Sequence, residues 1–296
     1  MKDMTYKEAR VHSNGGAATM THWNTTTKTD KEKKVMKGQM MLRPSYWASV
    51  SGGKDSLYML NLILHNLDRY PLDGVVHFEL EIDYPFIKDV IDYMELECKR
   101  AGIRFFRIKP RKTWEELYYT YRQNGTQWLF PTRKARWCNS KYKLDCKKQL
   151  ESWLNSNGLY SVSYIGFCVD EEKRFKSFGN AKVTEIYPLA ENGIVEVDIW
   201  EWAKQQPIYN NYYKTNKRCG CMYCPMASKL NFAYLYKYYP DKFNYMIEKM
   251  RETEMIRSKE LGRPFSVISS NPKYNADYLN NIIRTKWLKI LEEMEG

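Results

Sequence analysis

No stretch of this chain approaches the roughly 18 consecutive apolar residues needed to cross a bilayer, which excludes a helical membrane span. The first twenty residues also lack an apolar core of the roughly 7–15 residues that a secretory signal carries. A cytoplasmic protein with no membrane partner is therefore expected. No internal repeat is visible. The four histidines, His12, His22, His65 and His77, show no ligand spacing and are assigned nothing. Carboxylates are scarce against cations: 35 Asp and Glu face 47 Lys and Arg, a formal net charge of +12. That excess favours an anionic partner, whether nucleotide, nucleic acid or a sulfate-like group. Its bland alternative is that the charge only aids solubility.

What is present points to an α/β protein. With 296 residues, 43% of them hydrophobic, the chain can form one large domain or a domain plus a smaller appendage. Residues 1–38 are polar, charged and without period around 25–34, and read as a flexible arm or a loosely attached helix. Residues 39–230 read as a nucleotide-binding α/β domain carrying a cysteine cluster, and 231–296 as a helical C-terminal appendage. A short apolar run at 46–50 predicts a strand that ends in Ser-Gly-Gly. Leu57, Leu60, Leu64 and Leu67 then recur at helical spacing and predict a helix over 54–68. Strands are expected at 75–78, 104–108 and 161–166, the last central in the sheet. Helices are expected at 84–101, 113–124, 140–156, 228–261 and 276–294, with 182–225 irregular. This alternation predicts a central, mostly parallel sheet flanked by helices. The 24 Tyr and 9 Trp recur among Leu, Ile and Val, so most of them are expected in the core rather than on a nucleic-acid surface.

The strand–loop–helix context gives meaning to Ser51, Gly52, Gly53, Lys54, Asp55 and Ser56. A Gly-Gly turn lets backbone approach phosphate oxygens without a Cβ in the way. The free N–H groups of the following helix point to the same place. Lys54 adds a positive charge, and Ser51 and Ser56 add hydroxyls. Asp55 sits in the first helical turn, suited to the helix dipole or to Mg²⁺. No Gly-x-x-x-x-Gly-Lys-Ser/Thr occurs, so this is not a Walker A loop.

The loop resembles the Ser-x-Gly-Lys-Asp-Ser loop of the PP-loop ATP pyrophosphatases. Later stretches resemble the phosphoadenosine phosphosulfate reductase-like family within that superfamily. Arg136-Trp137-Cys138-Asn139-Ser140-Lys141-Tyr142-Lys143 is similar to its Arg-x-Cys-Cys-x-x-x-Lys segment, with Asn139 where a second cysteine stands in cluster-bearing members. Gly166, Glu171 and Arg174 match its Gly-x-Arg-x-x-Glu-Ser-x-x-Arg pattern, while Cys168 and Glu172 depart from it. Cys219, Gly220, Cys221, Cys224 and Pro225 resemble its Gly-Cys-x-x-Cys-Pro ending. The resemblance covers roughly residues 45–230 and implies an adenine nucleotide alpha-hydrolase-like fold. It also implies ATP and Mg²⁺ at the loop, Lys54 and Asp55 in catalysis, and Lys143 and Arg174 on the anionic substrate. Two departures stand out. Glu79-Leu80-Glu81 replaces the family's Asp-Thr-Gly, and no cysteine follows Cys224 to serve as the reductases' nucleophile.

Cys138, Cys219, Cys221 and Cys224 together offer four thiolates. They suit an iron–sulfur cluster or, as the alternative, zinc, with free redox thiols or plain core cysteines as lesser readings. The resemblance favours [4Fe–4S] over zinc. Cys98, Cys146 and Cys168 read as structural. The run of cations from 133 to 148 reads either as an anion-binding stripe or as a solvated helix face.

The expected reaction is activation of an acceptor oxygen by adenylylation, with loss of pyrophosphate and replacement by sulfur. Relatives that combine a PP-loop with cluster cysteines include tRNA thiolases and a DNA phosphorothioation enzyme, so tRNA or DNA is an expected acceptor. A sulfur donor protein or small-molecule sulfide would supply the sulfur. The alternatives are an adenylyl-sulfate-type reductase and a nucleotide- or nucleic-acid-binding module without turnover.

Overall fold

The computed structural model describes residues 42–175 and 185–296. The arm expected at 1–38 lies outside the described residues. Among those described, no helix is long and apolar enough to cross a membrane. The chain forms two compact units, each discontinuous in sequence. The first comprises the described residues of Met1–Phe78, Val90–Ile108 and Lys147–Pro207; the second comprises Glu79–Asp89, Lys109–Cys146 and Ile208–Gly296.

The first unit is built on a five-stranded sheet of β1 (Arg43–Val50), β2 (Gly74–Phe78), β3 (Phe105–Ile108), β4 (Leu159–Tyr164) and β5 (Glu185–Ile186), in the order β3-β2-β1-β4-β5. Every pairing is parallel; Ala48 lies opposite Val75 on one side and Tyr164 on the other. A parallel sheet is covered on both faces, so its strands read as continuous apolar runs, as Gly74–Phe78 does. Successive residues serve opposite faces. Trp47 packs with Val76, Leu150 and Leu154. Its neighbour Tyr46 stacks on Tyr164, ring centroids 6.1 Å apart. The expected parallel α/β architecture is therefore present.

Several local expectations need correction. The first helix runs only over Lys54–Leu64. Past it, Asn66 donates its side-chain amide to the Leu62 carbonyl at 2.8 Å, drawing off an acceptor the helix would have used. The helix expected over 113–124 is Trp114–Tyr119. It starts at a Thr113 capping box, and at Thr120 the chain turns extended, entering a hairpin bridged at Tyr121 and Gln127. The expected irregular stretch carries β5 and the short helices Pro188–Glu191, Glu196–Ala203 and Tyr212–Thr215. Segments of that length hold too few turns to show a period. The strand expected over 161–166 is β4, which lies inside the sheet between β1 and β5.

The second unit is helical. Lys229–Tyr238, Pro240–Leu261 and Ala276–Ile282 are joined in sequence by Leu288–Glu295, which follows a π-helical turn at Ile283–Trp287. Its core is rich in tyrosine, which is stable only when each hydroxyl finds a partner. Tyr118 donates to the Lys249 carbonyl at 3.0 Å, Tyr84 to Asn231 at 3.2 Å and Tyr212 to Arg218 at 3.0 Å.

Gly74 lies opposite Trp47 in the β1–β2 ladder, and a Cβ there would stand 2.7 Å from the indole. Trp47 is 1% exposed and has nowhere to retreat. Gly74→Ala is expected to destabilise the fold by about 1–3 kcal/mol, as overpacking of a core does. Urea unfolding measures this, and an unchanged midpoint would refute the packing described.

Candidate functional site

In the first unit, β1 ends at Val50 and the chain turns through residues 51–53 into the helix Lys54–Leu64. Gly52 takes φ = 74°, the left-handed region that a side chain disfavours. Gly53 is the N-cap, in extended conformation and without a side-chain cap, so first-turn N–H groups remain for an anion. Ser56 fixes the turn. Its Oγ accepts from the Ser51 N–H at 3.2 Å and donates to the Gly53 carbonyl at 2.9 Å. The Ser51 hydroxyl lies 3.4 Å from both Ser56 Oγ and the Gly53 nitrogen. The two serines thus brace the loop.

Lys54 is 3% exposed. A buried ammonium requires compensation. Its Nζ lies 2.6 Å from Asp55 Oδ1 and 3.2 Å from Glu196 Oε1, and 5.3 Å from the centre of the Trp200 ring. Glu196 and Trp200 are four residues apart on the helix Glu196–Ala203 and so share one face. Burial pushes the Asp55 carboxyl above its usual range, offset by Lys54 and reinforced by the charges of Glu171 and Glu196. Glu171 pairs with Arg174 at 2.6 Å, and the Arg174 guanidinium lies 4.0 Å from the centre of the Phe167 ring. Sequence reasoning named Lys54, Asp55 and Arg174 but missed Glu196. Its spacing to Trp200 was the available signal; a contact across 142 residues was not.

Gly166 follows β4, and a Cβ there would meet the Asp55 carbonyl oxygen at 3.0 Å and the Ser56 nitrogen at 3.3 Å. The residue at 166 must therefore be small for the loop helix to start where it does. Cys168, 1% exposed, lies beside Asp55 and Glu171, with burial raising its thiol to about 12. Such a thiol stays protonated and unreactive.

The second unit carries Lys143 and the four clustered cysteines. Lys143 is exposed on the π-helical turn Cys138–Lys143, and its charge bears on Asp83, whose carboxyl is raised by burial to about 6. Cys221 and Cys224 are hydrogen-bond partners, an interaction that lowers the Cys224 thiol and raises that of Cys221. The N–H groups of Met226 and Ala227 and the charge of Arg136 also favour a Cys224 thiolate. Cys138 is within electrostatic reach of both Cys224 and Cys221, and burial pushes it up to about 11. Burial raises the Cys219 thiol, as does the charge of Asp83, which also bears on Cys221, while a hydrogen bond to Tyr213 lowers it. Among the described residues no three His, Cys, Asp or Glu side chains close around one point as on a metal ion. The soft donors, the N–H groups aimed at sulfur and the nearby guanidinium nevertheless fit an iron–sulfur or zinc site.

This segment is fixed by backbone bonds rather than by regular structure. Met222 N–H donates to Ile82 at 2.7 Å, Arg133 to the Pro225 carbonyl at 3.3 Å, and Ala227 N–H to Cys224 at 3.0 Å. Glu81, in the stretch replacing Asp-Thr-Gly, accepts from the Trp114 N–H at 2.9 Å and from the Tyr142 hydroxyl at 3.3 Å. It ties three parts of this unit together.

No family model matches the chain. An uncharacterized protein of Methanocaldococcus jannaschii is 28% identical over 232 residues, which is 71% of this chain and 49% of that protein. The chain thus spans about half the length of this curated relative. Among solved structures, the U34-tRNA thiolase NcsA from Methanococcus maripaludis with its [4Fe-4S] cluster is similar at 18% identity and a TM-score of 0.36, over 74% of this chain and 76% of that one.

Gly166→Ala should push on the Asp55–Ser56 backbone and destabilise the fold by about 1–3 kcal/mol, as overpacking does. Urea unfolding measures it, and an unchanged midpoint would contradict the close approach.

Proposed function

We propose that this protein is a PP-loop ATP pyrophosphatase, resembling the phosphoadenosine phosphosulfate reductase-like family, that adenylylates an acceptor for sulfur transfer. The observation that carries this reading is Lys54. It is a buried cation at the mouth of a Gly-Gly loop, at the C-terminal end of the middle strand of a parallel sheet, where open α/β sheets bind their ligands.

In this reading the first-turn N–H groups of Lys54–Leu64 and the Lys54 ammonium hold the pyrophosphate end of ATP. The acceptor oxygen attacks the α-phosphorus, forming the new P–O bond. The bond from the α-phosphorus to the bridging oxygen breaks, and pyrophosphate departs with its electron pair. Lys54 meets the charge that builds on the leaving group, the point where a fixed cation contributes most. Asp55 and Glu196, now on Nζ, would orient that ammonium toward the phosphates. Mg²⁺ commonly binds through one or two carboxylates together with phosphate oxygens, and Asp55 is the carboxylate placed to contribute. Sulfide, from a donor protein or free, then attacks the activated carbon. A C–S bond forms, the C–O bond breaks and AMP leaves. Cys138, Cys219, Cys221 and Cys224 would hold a cluster or zinc. Bound there, a [4Fe–4S] cluster or zinc would supply a Lewis-acidic position for sulfur.

Lys54→Ala is expected to cut release of pyrophosphate and AMP from ATP by roughly 10²-fold or more, in line with loss of one fixed transition-state donor. Anaerobic assays with tRNA, with DNA and with neither would show which acceptor stimulates release. Retained release in Lys54→Ala would sink the assignment.

The thiol site has its own test. Reconstitution with iron and sulfide under argon should give the broad visible absorption of a cluster, and Cys221→Ala should lose both colour and bound iron. Iron and colour retained in Cys221→Ala would exclude it as a ligand, and colourless zinc-containing protein would select the zinc alternative.

A further inference from the structure

The sequence of the second unit contains two long stretches without a single carboxylate. Residues 117–144 hold no Asp or Glu, and neither do residues 208–240. These are the stretches that carry the clustered cysteines: Cys138 lies in the first, and Cys219, Cys221 and Cys224 in the second. Around Cys138 the first stretch exposes Arg133, Lys134, Arg136, Lys141 and Lys143. Just before Cys219 the second exposes Lys214, Lys217 and Arg218. The fold joins the two, because Arg133 donates to the Pro225 carbonyl at 3.3 Å. The unit's other acid-free stretches, 261–276 and 278–291, are shorter, and neither carries a cysteine.

Two further features bear on the partner. The cysteines are themselves half-buried, so an acceptor atom has to enter among them. A base held in a duplex stack cannot do so, and enzymes that modify bases take them out of the stack or act on single strands. The same acid-free stretches expose apolar faces, with Tyr121 at 68% and Met226 at 55% exposure. Phosphate-facing cations interspersed with exposed aromatic surface are the recurring means of holding single strands.

We infer that the cations of these two stretches form a collar around the cysteines that binds the phosphodiester backbone of a single-stranded polynucleotide segment. The inference rests on the reading of the chain as acting on a polyanionic acceptor, and it specifies which surface meets that acceptor. Lys143, expected from the sequence to contact an anionic substrate, belongs to this collar. The collar holds the strand by charge, independently of ATP. Each phosphate neutralised on a single strand steepens the salt dependence of binding, by about 0.7 in the slope of log K against log salt.

The test is anisotropy of a labelled 20-nucleotide single-stranded RNA with the full chain, over a salt series. The triple variant Lys134→Glu, Lys214→Glu, Lys217→Glu is compared with Lys242→Glu, Lys259→Glu, Lys273→Glu, which changes the net charge equally at exposed sites outside the two stretches. The collar triple is expected to weaken binding roughly tenfold or more and to reduce the salt slope by about 2, with the second triple within about twofold of wild type. Equal effects of the two triples, or none from the collar triple, would overturn the proposal. So would tighter binding of a 20-base-pair DNA duplex than of the single strand. ATP binding and pyrophosphate release are followed in the same preparations. Collar-dependent RNA binding without pyrophosphate release would discard the pyrophosphatase reading and leave the surface standing. Pyrophosphate release with no collar dependence would do the reverse.

Discussion

An ammonium group almost out of contact with water needs anionic or aromatic partners, and Lys54 draws them from distant parts of the chain. Asp55 is adjacent, and Glu196 and Trp200 arrive on a helix 142 residues later. That helix must be presented correctly, which requires the chain to leave β4 through Gly166 and turn through Val169–Arg174 before it returns. Removing Glu196 would leave a buried cation short of a partner, a more costly event than losing an exposed ion pair. The loop, the Gly166 crossing and the Glu196 helix therefore stand or fall together. The same arrangement holds the Lys54 ammonium at the start of the helix that follows the loop.

The second unit solves a different problem. Cys219, Cys221 and Cys224 lie on chain outside any helix or strand, so its backbone groups need partners of other kinds. Tyrosine supplies many of these. Tyr212 donates to the Arg218 carbonyl, while the Asn231 side-chain amide donates to the Tyr212 hydroxyl and to Asn216. Asn231 is itself fixed in a reciprocal cap with Ser228 at the start of Lys229–Tyr238. The order of the cysteine segment is thereby borrowed from the helices that follow it, which gives the helical C-terminal region a structural role in the thiol site.

Much of the first unit was legible in the sequence because its signals are local. Residues 51–56 sit between a short apolar run and a helical period, and that context is sufficient to identify strand, loop and helix. Parallel pairing followed from the alternation of strands and helices. What was not legible depended on contacts across the chain or on segments too short to show a period. Glu196 is one case. The early end of the first helix is another, since Asn66 competing for a backbone carbonyl leaves no trace in hydrophobic spacing. Eleven tyrosines among the described residues are buried, fewer than half of the chain's 24, and which hydroxyls hold the cysteine segment was beyond any pattern in the sequence.

The Cys-x-Cys-x-x-Cys run shows the same limit most sharply. Spacing makes its three thiols equivalent, whereas the fold gives them different partners. Cys221 and Cys224 share a hydrogen bond with Cys138 in electrostatic reach, Tyr213 bonds Cys219, and the Asp83 charge bears on both Cys219 and Cys221. Neither cysteine-bearing stretch carries a carboxylate, and the Asp83 charge that raises Cys219 and Cys221 comes from a third stretch, Glu79–Asp89. The electrostatics of the thiols is thus set in part by sequence far from the run itself, which is why its spacing could not show it.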